Sequence, residues 1–221
     1  IRAARRANQR IIMMNCGIGG NGFVICTDCG AAMAGKDEKI LNSLQRPYKS
    51  ALRKRLTKCT HKNIENIDLG YDFVTDMLVL EFFLDDKKIN VSRKNNPWLG
   101  RAAQSLAEAL RLAVSKELDI EFTELVAGYR LRTSGDKSFV DMYLYDNLSS
   151  GAGYAVGIAG KLTELLDSAA HILGNCSCDS ACYSCLKHYR NQYIHGGLNR
   201  FAALDLLRWG RQGGLAPSLT V

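Results

Sequence analysis

The sequence predicts an α/β (α+β) fold: a mixed sheet flanked by amphipathic helices, with a four-cysteine zinc knot near the carboxyl end and a zinc-ribbon-like segment near the amino end. Three observations predict it: a long apolar run after Asp72, two stretches with apolar residues at helical spacing, and a cluster of closely spaced cysteines. The chain has 221 residues, of which 47% are hydrophobic and 23% charged. This is the composition of a folded domain, and it excludes the disordered and fibrous classes.

The first half of the predicted core is a strand followed by a helix. The run after Asp72, FVTDMLVLEFFLDD, is long and almost continuously apolar, which predicts a strand buried on both faces. Asn96 and Pro97 mark a helix start, because proline is favoured in the first helical turn. Apolar residues then recur every three or four positions up to Leu118. We therefore expect an amphipathic helix over 97–118 that packs on the strand.

A hairpin and a second helix complete the predicted core. The strand-like segments 122–132 and 138–145 flank a turn signal at 134–136, which predicts a hairpin. A glycine-rich turn over 151–157 follows, and we expect it to serve a tight strand-to-helix connection. Helical spacing after the turn predicts a second amphipathic segment, formed by Ala155, Ala159, Leu162, Leu166, Ala169 and Leu173. A short helical stretch and a last helix follow Cys185.

Four cysteines lie close together in the stretch NCSCDSACYSC. In a reducing compartment thiols stay free, so such spacing indicates a metal site before it indicates disulfides. The CxCxxxCxxC pattern lets short loops fold around one Zn²⁺, which takes four thiolates at tetrahedral corners and then has no position left for a reacting water. We expect a structural zinc, and the alternatives are buried free thiols or a redox pair. The predicted ligands are Cys176, Cys178, Cys182 and Cys185.

A second, looser set of metal-ligating residues lies near the amino end. Cys26 and Cys29 in VICTDCG form a CxxC knuckle followed by glycine, and Cys59 and His61 in KCTH follow at a separation typical of a zinc ribbon. Cys59 is the stronger candidate of the later pair, and the identity of the fourth ligand stays open. The alternative is a reduced CxxC pair with a surface histidine. Cys16 has no partner at short spacing, so we expect a plain thiol there.

The net charge of +7 is concentrated in one segment, because the cations between residues 46 and 62 have no acidic residue among them and equal the whole surplus. Such a patch attracts polyanions through counterion release, nucleic acid most often. We expect DNA phosphates as its ligands, and the alternative is a solvated helix face without a partner. This basic segment comprises Arg46, Lys49, Arg53, Lys54, Arg55, Lys58 and Lys62. Smaller basic groups lie in a helix-compatible run at the start (Arg2, Arg5, Arg6, Arg10) and near the end (Lys187, Arg190, Arg200).

The chain lacks the common catalytic motifs. It contains no GxSxG elbow, HExxH helix or HxK core, and the turn over 151–157 matches neither a dinucleotide nor a Walker loop. We therefore expect a non-catalytic module without a small-molecule substrate. The alternatives are a protein-interaction scaffold without DNA contact, or a metal-dependent nuclease. Such a nuclease would draw on Asp68, Asp72, Asp76, Asp85, Asp86, Asp141 and Asp146.

The predicted organisation has three parts: a basic, zinc-ribbon-like segment (1–66), an α/β core (67–175), and the zinc knot with the last helix (176–221). No apolar run approaches the roughly 20 residues that a membrane span needs, and no signal peptide follows the first arginines. We therefore expect a cytoplasmic protein without a membrane partner. The chain does not begin with Met, which indicates a fragment of a longer parent.

Four stretches together resemble the MrfA-type zinc-binding domain: GFVICTDCG, LGYDFVTDMLVLEF, LYDNLSSGAGYA and NCSCDSACYSCLKHYRNQYIHGGLNRFAALDLL. That domain occurs at the carboxyl end of certain bacterial superfamily-two DNA helicases and in their stand-alone partners. The final stretch is most similar to the partner protein of the DISARM anti-phage system, and next to the large helicase of the Druantia defence system. The resemblance implies that the CxCxxxCxxC thiols bind the domain's zinc. It also implies that the module accompanies a helicase, which supplies ATP hydrolysis, on DNA.

Overall fold

The computed structural model of the chain describes residues 1–35, 37–49, 52, 54–84, 97–135 and 137–212. These residues fold into two compact units. The larger unit contains residues 1–9 and the chain from Val74 onwards, and the smaller unit contains Arg10–Phe73. The division of the chain into the segments 1–66, 67–175 and 176–221 remains a prediction.

The described residues form strands and helices in an order that mixes the two types. The strands are β1 (Arg2–Asn15), β2 (Phe23–Cys26), β3 (Ala32–Ala34), β4 (Gln45–Lys49), β5 (Leu56–Lys58), β6 (Ile64–Ile67), β7 (Leu69–Leu84), β8 (Leu125–Ser134) and β9 (Lys137–Asp146). The α-helices are α1 (Glu38–Ser43), α2 (Pro97–Leu118), α3 (Tyr154–Ile158), α4 (Leu162–Gly174) and α5 (Arg200–Gln212). Short 3₁₀ helices span Ile18–Gly20, Phe122–Glu124, Ala159–Lys161 and Tyr189–Gly197. Within the described ranges every helix is too short or too polar to span a bilayer.

The larger unit is built on a sheet with the strand order β1-β7-β9-β8, in which β9 pairs antiparallel with both β7 and β8. Alternate residues of β7 and β9, such as Leu80 and Met142, are buried in one core with α2, α4 and α5. This arrangement follows from the twofold alternation of strand side chains and from the apolar stripes of the helices. The predicted α+β fold is confirmed, and α2 has the bounds that the sequence predicted.

Strand β7 differs from the expectation of burial on both faces. Leu78, Leu80 and Phe82 are fully buried, whereas Phe83 on the opposite face is 40% exposed. The reason is the antiparallel pairing, because an antiparallel sheet needs helices on one face only. The apolar run therefore indicated the strand correctly but overestimated the cover on its second face.

Three further expectations were wrong in detail. The helix-compatible start of the chain is strand β1, because pairing beside β7 supplies backbone hydrogen bonds that outweigh the weak helix preference of its residues. The strand expected from residue 122 begins at Leu125, after a 3₁₀ turn. The second amphipathic helix is interrupted, since a 3₁₀ turn at Ala159–Lys161 separates α3 from α4. Asn96 and Asp136, which the sequence placed at a helix start and in a turn, lie outside the described residues.

The glycine-rich turn between β9 and α3 is closed by a carboxylate of the chain itself. Asp146 is fully buried at the end of β9. Its oxygens accept hydrogen bonds from the backbone N–H groups of Ala152 (2.7 Å), Tyr154 (3.1 Å) and Ala155 (2.8 Å). The carboxylate therefore occupies the start of α3, where an external anion would otherwise bind.

Gly151 makes this turn possible by its conformation and its size. Its φ of +75° lies in the left-handed region, and a Cβ built there would lie 2.9 Å from Asp76 Oδ2. Asp76 cannot easily move away, because its other oxygen accepts a hydrogen bond from the backbone N–H of Asn8 at 3.2 Å. The turn therefore has a demonstrable structural role.

Replacement of Gly151 should destabilise the protein more than replacement of a neighbouring glycine. We expect Gly151→Ala to lower the free energy of unfolding by about 2–4 kcal/mol, since it adds a steric clash to the left-handed strain. Gly153→Ala is the control, because Gly153 has a φ of +82° but nothing within 4 Å of the added Cβ. It should cost only the strain, about 1–2 kcal/mol. Urea unfolding measures both values, and equal losses would contradict the role of the Asp76 contact.

Candidate metal centre

The carboxyl-terminal cysteines converge directly after α4. In the loop that leaves this helix, the sulfur of Cys176 lies 3.5 Å from that of Cys178 and 3.4 Å from that of Cys182. The Cys185 sulfur lies 3.7 Å from Cys178 and 3.8 Å from Cys182. We call these four residues the carboxyl-terminal cage.

These distances match a tetrahedral zinc site. Four sulfurs at about 2.3 Å from one ion are separated by tetrahedral edges of about 3.8 Å, close to the values found. A disulfide would need about 2.05 Å between two sulfurs, so the cage holds four free thiols that share one centre. All four ligand atoms lie within 4.8 Å of one another. The cage therefore fits zinc, which would be fully coordinated by protein ligands.

The backbone around the cage explains how short loops achieve this convergence. The carbonyl oxygen of Cys182 accepts hydrogen bonds from the N–H groups of Cys185, Leu186 and Lys187 at 2.9–3.1 Å, which forms a tight knuckle. The N–H of Cys182 in turn points at the sulfur of Cys185, at 3.3 Å. This donor favours the thiolate form of Cys185 that zinc binds, although burial opposes ionisation more strongly.

The thiols of the cage differ in acidity. The hydrogen bond from the side chain of Cys176, assisted by the backbone N–H of Ser184, lowers the pKa of Cys182 to about 6. Burial raises the pKa of Cys178, and it raises the pKa of Cys185 to about 12. Cys182 is therefore the cage thiol that ionises most readily, and a bound ion would displace the protons of the others.

Arg200 fixes the cage to the start of α5. Its guanidinium donates hydrogen bonds to the carbonyl oxygens of Cys178 (2.8 Å) and Leu173 (2.9 Å), and its backbone N–H donates to Ser180 O at 2.7 Å. Arg200 is only 7% exposed. The sequence analysis grouped this arginine with cations available to a polyanion, whereas in the structure its guanidinium is buried and hydrogen-bonded to the loop and the end of α4. Neither spacing nor composition carries a signal for this role.

The amino-terminal cluster lies in the smaller unit, on a three-stranded antiparallel sheet of order β3-β2-β6. Cys26 ends β2 and Cys29 lies in the following turn, which closes through hydrogen bonds between Cys26 and the residues at 30 and 31. Cys59 follows β5, and its N–H donates to Leu44 O at 2.9 Å. Sheet pairing and loop closure thus bring together residues that are far apart in the chain.

The geometry of this second cluster also fits zinc. The sulfur of Cys26 lies 3.5 Å from His61 Nδ1, and the sulfurs of Cys29 and Cys59 are 3.6 Å apart. A tetrahedral site with sulfur at about 2.3 Å and nitrogen at about 2.1 Å has a sulfur–nitrogen edge of about 3.6 Å. The structure therefore brings His61 to the cluster together with Cys59. Cys16 takes part in neither cluster.

The smaller unit has little apolar core besides this cluster. Among its described residues, those that are apolar and buried are Val24, Cys26, Ala31, Leu44 and Cys59, and two of these are candidate ligands. Burial opposes ionisation of Cys26, but hydrogen bonds from the backbone N–H of Cys29 and from His61 lower its pKa to about 7. A core of this size stabilises a fold weakly, so a metal would contribute a large share of its stability.

The basic segment lies in β4, β5 and the residues that follow each of them, not on a helix face. Strands β4 and β5 pair antiparallel. Arg46 is half-buried, and Arg53 lies outside the described residues. The other five members are exposed, and none of them forms an ion pair with another described residue. They are Lys49, Lys54, Arg55, Lys58 and Lys62.

The acidic residues considered for a nuclease are dispersed. Asp72 pairs with Arg10, Asp141 pairs with Arg130 and Arg132, and Asp146 closes the glycine-rich turn. Asp85 and Asp86 lie outside the described residues. Among the residues that the structure places, only the two cysteine clusters bring three or more potential metal ligands together.

The two closed cages on an α+β scaffold define the chain as a zinc-binding module. Residues 106–186, from α2 to the end of the carboxyl-terminal cage, match the family model of the MrfA Zn-binding domain. Over these residues the chain is similar to that family, and the resemblance found in its sequence is confirmed.

Two known proteins are similar to most of the chain. Druantia protein DruE of Escherichia coli (strain UMEA 4076-1) is 34% identical over 218 residues, which cover 93% of this chain and 12% of DruE. The crystal structure of the DUF1998 helicase MrfA bound to DNA shares the fold, with a TM-score of 0.52 and 14% identity, over 94% of this chain and 25% of that chain. The chain thus spans about an eighth of DruE. The similarity to the DISARM partner protein remains a prediction.

Metal analysis should distinguish the two clusters. We expect the purified chain to hold two zinc ions, and Cys182→Ser and Cys29→Ser to hold one each, because a cage with three sulfurs binds zinc far more weakly. Cys16→Ser is the matched control and should keep both ions. Elemental analysis together with circular dichroism measures metal and fold in the same samples. A metal-free chain that is fully folded would contradict both assignments.

Loss of the Arg200 side chain should destabilise the loop that carries the cage. We expect Arg200→Met to lower the free energy of unfolding by about 2–4 kcal/mol, since it removes the guanidinium donor from the carbonyl oxygens of Leu173, which is buried, and Cys178, which is partly buried. The control is Arg208→Met on the exposed side of α5, which should change it by less than about 0.5 kcal/mol. Chelator-induced zinc release should also be faster in Arg200→Met alone, and unchanged release would contradict this role.

Proposed function

We propose that this chain is a zinc-stapled, non-catalytic accessory module of a cytoplasmic, helicase-containing anti-phage defence protein or complex. In this proposal the module binds DNA phosphates through the basic segment and docks on the helicase motor that hydrolyses ATP. Cys176, Cys178, Cys182 and Cys185 ligate one zinc, and Cys26, Cys29, Cys59 and His61 ligate the other.

The observation that carries the proposal is the closed geometry of both clusters. Each has four ligand atoms within 4.8 Å of one another, which is the complete ligand set of a structural zinc. A catalytic zinc site keeps one position open for water or substrate and usually has three protein ligands. The metal chemistry therefore supports a role in folding, and the reaction would belong to another part of the protein.

The relatives support the setting of a defence helicase. The similarity to Druantia protein DruE extends over nearly the whole chain, yet the chain spans 12% of DruE. The structure with the same fold is that of a helicase bound to DNA, and the chain spans 25% of it. An accessory module within a much longer motor protein agrees with these proportions.

The charges of the smaller unit support contact with phosphates. Its exposed lysines and Arg55 have no carboxylate partner among the described residues, so their charge is available to an external polyanion. Contacts of this type release counterions, and they bind DNA without reading its sequence.

Removal of one such cation should weaken DNA binding without affecting the fold. We expect Lys54→Ala to reduce affinity and to lower the slope of log K against log salt by about one unit, because one phosphate contact is lost. Lys161→Ala is the control, since Lys161 is an exposed lysine of the larger unit and should leave the slope unchanged. Fluorescence anisotropy with labelled DNA at several salt concentrations measures both.

Two outcomes would contradict the proposal. Absence of DNA binding near physiological salt would favour a protein-interaction scaffold, in which the positive patch meets an acidic partner. Cleavage of DNA in Mg²⁺ or Mn²⁺ that one aspartate substitution abolishes would show an enzyme.

A further inference from the structure

Three strongly exposed tyrosines lie within the carboxyl-terminal cage loop and in the 3₁₀ helix that follows it. Tyr183 lies between two cage cysteines and is 73% exposed, and Tyr189 and Tyr193 on the 3₁₀ helix are 80% and 84% exposed. Large aromatic side chains are mostly buried in folded proteins, so three exposed rings in one short segment indicate a surface that binds something.

The segment that carries these rings is held by a buried polar network. Asn191 is only 2% exposed, and its amide donates a hydrogen bond to Leu186 O at 2.9 Å. His195 Nε2 lies 2.8 Å from Asn191 Oδ1, and the His195 ring meets the ring of Tyr183 edge-on at 5.6 Å. The tyrosines are therefore presented by a fixed backbone, which reduces the entropy that a ligand must overcome.

A cleft opens beside Tyr183. Its volume is about 250 Å³, and its walls include the aromatic rings of Phe122, His188 and Tyr183. His188 packs edge-on against Phe122, with their centroids 4.5 Å apart. The acidic residue that lines the cleft, Glu108, is 7% exposed and is engaged by His188 Nε2 at 3.0 Å. The accessible part of this wall is thus aromatic and not acidic.

Cations surround the rings. Lys187 lines the same cleft, and Arg111 stacks on Phe122 with its guanidinium carbon 4.0 Å from the ring centroid. Arg190 is exposed and directly follows Tyr189 in the 3₁₀ helix. Arg101 shares a second cleft, of about 360 Å³, with Tyr193. We call the exposed rings and cations of residues 183–193, together with Phe122, Arg111 and Arg101 of the two clefts, the aromatic–basic surface.

We propose that the aromatic–basic surface binds single-stranded nucleic acid by stacking its bases on these rings. Flat rings that alternate with cations are complementary to a strand whose unpaired bases offer π-faces and whose phosphates carry charge. A duplex hides its base faces in the stack, so it offers no partner to the tyrosines. This surface lies in the larger unit and does not depend on the basic segment of the smaller unit.

The test uses the full, zinc-loaded chain and a labelled oligothymidylate of about 15 nucleotides. Tyr189→Ala and Tyr193→Ala should each weaken binding by about 5- to 150-fold, the range for loss of one stacked base. The salt slope should stay the same, because no cation is removed. Tyr189→Phe and Tyr193→Phe keep the ring and should restore affinity. Tyr71→Ala removes an exposed ring, with 64% exposure, from the smaller unit and should have no effect.

An abasic oligomer of the same length separates stacking from charge. It carries the phosphates without the bases, so the unsubstituted chain should bind it at least as weakly as Tyr193→Ala binds the oligothymidylate. Equal affinity for the two oligomers, unchanged binding by the alanine variants, or stronger binding of a blunt duplex would overturn the proposal. Lys54→Ala lowers the salt slope instead, so failure of the basic segment and failure of this surface give different results.

Discussion

The larger unit depends on the convergence of four sulfurs between α4 and α5. Without a shared ion, the four thiols would crowd within 4.8 Å of one another in place of apolar contacts, and one of them would already be acidic. When zinc is bound, the four sulfurs would coordinate one ion. Zinc-finger peptides bind this ion with roughly 10–16 kcal/mol of apparent free energy. That amount is comparable to the whole stability of a typical domain. The ion thus determines whether the loop between the two helices has one structure or many.

The cage transmits this order to the helical core. Arg200 at the start of α5 donates hydrogen bonds to the loop and to the last turn of α4, so both helices share one anchor. On their inner faces Leu173 and Leu207 are fully buried in the core that includes α2 and the sheet. Loss of the metal would therefore also weaken the packing of α4 and α5. Asp146 likewise fixes a connection to the helices, because its carboxylate accepts hydrogen bonds in the turn between β9 and α3.

The sequence correctly predicted the features that are encoded by the spacing of residues within one segment. The CxCxxxCxxC spacing indicated a cage, and the periodicity after Pro97 gave the bounds of α2. It failed where tertiary pairing decides, as in β1, whose residues have no strong strand preference but lie beside β7. It also failed for Arg200, because a buried arginine and a surface arginine look alike in a composition. His61 remained open for a similar reason, since only the folded sheet shows which ring reaches Cys26.

The zinc cage and the aromatic–basic surface are physically continuous. Cys185 is a cage residue and also lines the cleft beside Tyr183, while Lys187 follows the knuckle that the carbonyl of Cys182 closes. A ligand that binds only the ordered arrangement stabilises that arrangement by mass action, and the ion does the same from the other side. Under the proposal for this surface, the two binding events are linked, because each reduces the ordering that the other requires. A metal whose chemistry is purely structural would in this way still set the affinity of the surface for its ligand.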